Sequence, residues 1–286
     1  MKLIKLISCT ALGVVAFSSL ASAQGKKWEK IVIATESSFA PWSMQDSSGN
    51  LIGYEIDMAN ELCKRMQVKC EIISQDWDGL MPGLTGKKFD AIIAGMSITE
   101  ERKKSIDFSR SYAQVANGFL TAKSSDTAKM PYTGEKFDLN DKEKSQKIID
   151  EIKTFFKDKK VGVQVGTTHE AFINTYMKDV ISGDVLVYPT VEAHDIDLEA
   201  GRVDIVSTDA TTINGTLEQN IFKNDYVLVG PGFVGGVLGE GSGIGLRKGD
   251  TELKKMFDDA IESMRADGSL KEMAVKWFKM DVTPVN

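Results

Sequence analysis

Apolar residues in the first third of the chain fall in short runs separated by amphipathic stretches. Ile31 to Ala34 is one such run; after Gly53, Ile56, Ala59, Leu62, Cys63 and Met66 recur on one helical stripe; Ile72 and Ile73 form the next run. Leu80 and Leu84 mark a short helix, and Ala91 to Ala94 is a third strand-length run. Runs alternating with 3.6-period stripes predict a parallel sheet covered by helices on both faces. Ligands of such sheets bind outside the carboxyl ends of the strands. The loops there begin at Thr35, Asp76 and Gly95, so all three open onto one rim.

A second alternating set starts near Val115: a strand Val161 to Val165, a helix from Thr168, a strand Val185 to Tyr188, a helix ending at Gly201 and a strand Val203 to Ser207. Between Ser124 and Lys160 the chain turns polar, yet Ile148, Ile149, Ile152, Phe155 and Phe156 give one helix an apolar stripe, which we read as a surface embellishment packed on a second lobe. The glycine-rich stretch from Pro231 to Gly245 can return the chain to the first lobe. Beyond it, Leu253, Met256, Phe257, Ile261 and Met264 predict a helix stopped at Gly268.

The N-terminus adds a compartment. Lys2 and Lys5, an apolar run centred on Ala11 to Phe17, and Ala21-Ser22-Ala23 read as a secretory signal cleaved after Ala23, which places the protein in the periplasm. Removing it leaves 33 basic and 41 acidic residues in 263, an acidic surface that argues against nucleic acid and a length suited to two lobes. Cys63 and Cys70 are the cysteines that survive cleavage, and in an oxidising compartment their spacing suggests a bridge across a helix-strand turn; two buried free thiols are the other reading. His169 and His194 are too far away in sequence to favour a metal site, and we expect no metal and no cofactor.

Candidate chemistry concentrates in FDAIIAGMSITEERKKSIDFS, residues 89 to 109. Arg102 lies in the first turn of a helix, where a cation is disfavoured by a few tenths to about 1 kcal/mol unless an anion is near. Ser105 and Ile106, three and four residues on, supply none, whereas Lys103 can reach Asp107. Ser97 and Thr99 hydroxyls, free helix N–H groups and a guanidinium fork make a site for a small carboxylate; the alternative is a capping box of Ser97 and Glu100 with Arg102 in solvent. Gly166-Thr167-Thr168-His169-Glu170 opens another helix, with Thr167 and Glu170 spaced as a capping box. Asp209, after a second-lobe strand, can receive an ammonium group or cap the next helix. Glu36, Phe39, Glu55 and Trp77 share the rim, with dipole, packing and core burial as the plainer explanations for the last three. Glycines 239, 241, 243 and 245 do not satisfy a dinucleotide fingerprint, and neither a nucleotide P-loop nor a nucleophile elbow is present.

At SITEERKKSIDFS, and again at TESSFAPWS (35 to 43), GYEIDMANELCKRMQVKC (53 to 70) and GSGIGLRKGDTELK (241 to 254), the chain resembles the periplasmic solute-binding proteins of polar amino-acid ABC transporters, nearest the lysine/arginine/ornithine- and histidine-binding branch. The resemblance covers the mature chain apart from residues 124 to 159. It implies an α/β, two-lobed type II binding-protein fold with two hinge crossovers: 24–113 and 234–286 in the first lobe and 114–233 in the second. It implies the Cys63–Cys70 bridge on CKRMQVKC. It sets Arg102, Ser97 and the Thr167, Thr168, His169 helix start around the ligand carboxylate, Asp209 on its α-amino group, Glu36 and Glu55 on a cationic side chain, and Phe39 and Trp77 about its aliphatic stem, with Ala94, Gly95 and Met96 completing the wall. This sequence departs from the branch at Glu36 and Glu55, where aspartate is commoner, at Ala94 and Gly95, which replace small hydroxyls, and at His169, which replaces an amide. We therefore expect a monomeric, non-enzymatic protein that binds a basic L-amino acid or a derivative of one and serves an ABC permease. A glutamine-type ligand, a periplasmic dehydratase using Glu36 or Glu55 as general acid, and a sensor delivering ligand to a membrane receptor are the alternatives.

Overall fold

A computed structural model describes residues 28–284. The secretory signal and cleavage site expected from the sequence lie outside them. The first lobe opens with β1 (Lys30–Thr35), a small three-stranded sheet of β2 (Ser38–Phe39), β3 (Ser43–Gln45) and β4 (Leu51–Ile52), then α1 (Tyr54–Met66), β5 (Lys69–Ser74), α2 (Trp77–Thr85), β6 (Ala91–Ile92), α3 (Glu100–Lys103) and β7 (Asp107–Ala113). The second lobe holds β8 (Asn117–Ala122), β9 (Lys136–Asp138), α4 (Lys142–Phe156), β10 (Val161–Gln164), α5 (Thr168–Tyr176), β11 (Leu186–Tyr188), α6 (Val191–Glu199), β12 (Ile205–Asp209), α7 (Ala210–Leu217), α8 (Asn220–Asp225), β13 (Tyr226–Val229) and β14 (Gly232–Val234). The chain finishes with β15 (Ser242–Leu246), α9 (Thr251–Ala266) and α10 (Ser269–Phe278).

The two main sheets are ordered β5-β1-β6-β15-β7 and β11-β10-β12-β8-β13. The strand read from Ala91 to Ala94 pairs over Ala91–Ile92 alone, and the one read from Val203 to Ser207 is shifted to Ile205–Asp209. Each sheet buries alternate residues on opposite faces, as a pleated strand must. Ile31 and Ile33 join a core with Met58, Leu62, Phe257 and Ile261, while Ala34 joins Leu80, Leu84, Phe89 and Ile106 on the other face. In the second sheet Phe119 and Ile205 face Phe172 and Phe233, whereas Leu120 and Val206 face Ile213 and Phe222.

The polar stretch before Lys160 is more deeply built in than a surface embellishment. Ile148, Ile149, Ile152 and Phe156 of α4 belong to the second lobe's core, and β9 pairs in parallel with β14. The chain crosses between the sheets after Ala113 and again after Val234. The backbone N–H of Gln114, in the first crossing, donates to the carbonyl of Val282 at 2.8 Å, so the C-terminal tail braces that strap.

α1 ends at Gln67, whose left-handed backbone (φ 56°) turns the chain into β5 and brings Cys63 and Cys70 within 6.1 Å at Cα, joined as a disulfide. α1 starts after Gly53 at φ 133°, where a Cβ would stand 2.3 Å from the Trp42 carbonyl oxygen; only glycine fits.

Candidate functional site

Thr99, not Ser97, caps α3: its hydroxyl accepts from Arg102 N–H at 3.2 Å. The alternative Ser97–Glu100 box does not form, and with a helix of four residues the dipole argument carries little weight. Lys103 turns to Glu100 and Glu240 rather than to Asp107. Arg102 is not in solvent; its side chain is buried. Its guanidinium donates to the Ser97 carbonyl at 2.9 Å and, across the cleft, to the Gly166 carbonyl at 3.1 Å, and lies 5.2 Å from the Trp77 ring centre. Among the described residues no carboxylate pairs with it. Burial pulls its pKa down to about 10, which leaves it cationic at neutral pH.

Opposite Arg102, Thr167 caps α5, accepting from Glu170 N–H at 3.3 Å, while Glu170 reaches back to Gly166 N–H at 2.6 Å, one residue beyond the box expected. Thr168 is left for the cleft, its hydroxyl oxygen 3.4 Å from that of Ser97. Asp209 occupies the residue before α7, but its side chain makes no capping bond among the described residues. Its Oδ1 lies 3.4 Å from His169 Nε2.

Glu36 is 2% exposed. Its Oε1 accepts from Ser38 Oγ at 3.0 Å and, from the second lobe, from Gln164 Nε2 at 2.7 Å. Burial pushes its pKa up to about 7, against the pull of those two bonds and with a small further push from Asp76. The Gln164 amide also donates to the Pro189 carbonyl at 3.1 Å, so it is held on two sides. Phe39 stacks on Trp42 and closes on Gly95, where a Cβ would be 2.7 Å from its ring and the backbone is left-handed (φ 58°).

These groups enclose one cavity, lined by Glu36, Phe39, Trp77, Ala94, Gly95, Ser97, Arg102, Gln164, Thr167, Thr168, His169, Thr208 and Asp209. Eleven of the thirteen residues expected from sequence therefore meet here. Two do not. Met96 points into the core with Leu80 and Leu84, and Glu55 lies behind Gly95, fully enclosed. The sequence pattern does not single out Gln164 and Thr208; Gln164 is the last residue of β10 and Thr208 the last but one of β12, and a polar residue there, just before the rim, is the available signal. The cavity is about 20 Å³, the space of a water or so, and Trp42 Nε1 donates across the lobes to Thr211 Oγ1 at 3.0 Å. A second cavity, on the hinge side, shares Ser97, Thr168, His169 and Asp209 and adds Gln114, Asn117 and Ser242. Asn117 Oδ1 accepts from Phe233 N–H at 2.7 Å, while Asn117 Nδ2 and His169 Nδ1 are buried without a partner among the described residues.

The model of the bacterial extracellular solute-binding proteins, family 3, matches residues 31–280. The chain belongs to that family. Within it, the octopine-binding periplasmic protein of Rhizobium meliloti is 42% identical over 300 residues, covering 98% of this chain and 99% of the relative. The lysine/arginine/ornithine-binding periplasmic protein of Escherichia coli (strain K12) is 35% identical over 270 residues, covering 94% of this chain and 95% of its own. Among solved structures, an ancestral arginine-binding protein bound to arginine superposes with a TM-score of 0.73 at 33% identity, over 87% of this chain and 98% of that one. The two-lobed type II fold expected from sequence is the fold of the family. Among the described residues no helix is long and apolar enough to cross a membrane.

Proposed function

We propose that this family 3 protein is the periplasmic substrate-binding component of an ABC importer and captures a basic L-amino acid, or a basic amino-acid derivative, between its closing lobes. One observation carries the reading: Arg102 and Glu36 line the same cavity, both buried and both without an ion partner among the described residues. A zwitterion with a cationic side chain supplies both missing partners. Its carboxylate meets Arg102, Ser97 and Thr168, its ammonium meets Asp209, and its distal cation meets Glu36, with Phe39 and Trp77 along its stem. The crossings at 114–116 and 235–241 are the hinges, and closure is favoured because the ligand touches both lobes. We assign the mature protein to the periplasm, cleaved after Ala23, as a monomer that returns its ligand unchanged and docks on a membrane-embedded permease.

The hinge-side cavity favours a second, narrower ligand reading. Octopine is an arginine whose α-nitrogen carries a carboxyethyl group, and a substituent there would run past Asp209 toward Asn117 Nδ2 and His169 Nδ1. The test is mass spectrometry of ligand carried through purification, followed by a calorimetric panel of arginine, lysine, ornithine, histidine, octopine and glutamine. Arginine, lysine or octopine should bind at least tenfold tighter than glutamine, a gap of about 1.4 kcal/mol or more. Glutamine or an acidic amino acid outcompeting every basic one overturns the proposal.

A further inference from the structure

Glu55 opens α1 on the rim, yet its carboxyl is wholly enclosed. Oε1 accepts from Gly95 N–H at 2.6 Å and from the Tyr112 hydroxyl, while Oε2 is buried with no partner among the described residues. The groups that face it are Tyr54 of α1, Tyr112 of β7, Glu36 beyond β1 and, from the second lobe, Asp209. None is a cation. An ionised Glu55 would hold an unsolvated oxygen beside two other acids, the arrangement in which a carboxyl keeps its proton. Burial, with smaller pushes from Asp209 and Glu36, raises its pKa to about 7 against the pull of its two bonds, level with Glu36; the two acids differ in that Glu36 lines the cavity, where a ligand cation can hold its charge, and Glu55 does not.

The charges of the closed site agree with a protonated Glu55. With His169, which lines the site 3.4 Å from Asp209, counted as neutral, Arg102 contributes one positive charge, Asp209 and Glu36 one negative charge each, and a basic amino acid one net positive charge. The complex is then neutral; an ionised Glu55 would leave a buried excess of negative charge. Gly95, which Glu55 holds by its N–H, accepts from Ser242 Oγ at 3.3 Å through its carbonyl and supports the Phe39 ring.

We propose that Glu55 is a positioning residue and not a ligand contact: as a neutral acid it pins the Gly95 turn under Phe39, leaving Glu36 as the sole carboxylate that answers the ligand's side-chain cation. The proposal rests on the basic-ligand reading. Calorimetry with arginine at pH 7, in two buffers of different ionisation enthalpy, separates the two acids. Glu55→Gln should bind within about threefold of wild type and release protons on binding as wild type does, whereas Glu36→Gln should lose about tenfold and the proton release with it. Loss of tenfold affinity or of proton release in Glu55→Gln overturns the assignment. Carboxyl-carbon NMR at pH 6, with the Glu55 signal identified by its disappearance in Glu55→Gln, should show a protonated acid before and after saturation with arginine. An ionised Glu55 in either state overturns it. A wild type that binds no arginine removes the functional reading alone, and the carbon signal of the free protein still decides the state of Glu55.

Discussion

The Arg102 corner and the Glu36 corner of the cleft are built alike and behave differently. Each holds a buried charge by neutral dipoles drawn partly from the other lobe: the Gly166 carbonyl for Arg102, the Gln164 amide for Glu36. The same burial moves both pKa values toward the neutral form, but arginine starts so high that about 10 still means full charge, whereas Glu36 arrives at about 7 and is divided between its two forms. On the proposed reading, carboxylate recognition is therefore permanent, and cation recognition is conditional on a cation being there to hold the charge. Among the described residues neither corner closes an ion pair of its own, so a ligand that supplied both partners would contribute strongly to the closed state.

The sharpest way to break the comparison is Arg102→Ala. It leaves a buried ligand carboxylate without its partner, at about 3–5 kcal/mol, and should lower the affinity for every ligand by two to four decades. Near-normal calorimetric affinity would show that the carboxylate is held elsewhere. Glu36→Gln is expected to act on one class only: arginine loses about 1.4 kcal/mol or more while glutamine changes little, because length and hydrogen bonding are kept and charge is removed. Equal losses for both ligands would mean that Glu36 supports structure and does not read charge.

The pH dependence is the smallest effect and the most specific. Glu36 has its folded pKa raised, so between its ordinary 4.5 and about 7 the folded protein binds more protons than the unfolded chain. Stability without ligand should fall as pH rises through that window. Arginine requires the ionised form, so its affinity should drop about threefold from pH 7.5 to 6.5 as protonation of Glu36 competes, while glutamine affinity stays flat. Differential scanning calorimetry and titrations at the two pH values check both halves. An arginine affinity that does not change over this interval would place the Glu36 pKa outside it.

What could be read from the chain was what local pattern encodes. Ile31 to Ala34 and Val161 to Val165 announce themselves as buried strands, and the helix face through Ile56, Leu62 and Met66 is plain. β15, Ser-Gly-Ile-Gly-Leu, does not, because its strand identity comes from β6 and β7, far away in sequence, which pair on either side of it. The site divides in the same way. Arg102 was legible as a cation in a first helical turn with no acid three or four residues on, although the helix is too short for that dipole argument to carry its burial. Gln164 was not, since an amide at the end of a strand is unremarkable until Glu36, 128 residues away, is folded against it. Glu55 and Met96 show the converse failure: both lie in the right segments, but the turn at Gly95 that sends Met96 inward and encloses Glu55 depends on left-handed backbone and on Phe39, neither of which appears in spacing.

The bond from Gln114 to the Val282 carbonyl fastens the tail to one of the two straps proposed as hinges. A fluorophore attached near Pro284 would thus sit beside that strap, whose Gln114 also lines the second cavity. Its signal would register a change in the strap on closure, and comparing solutes of different length would separate that change from one transmitted through the second cavity.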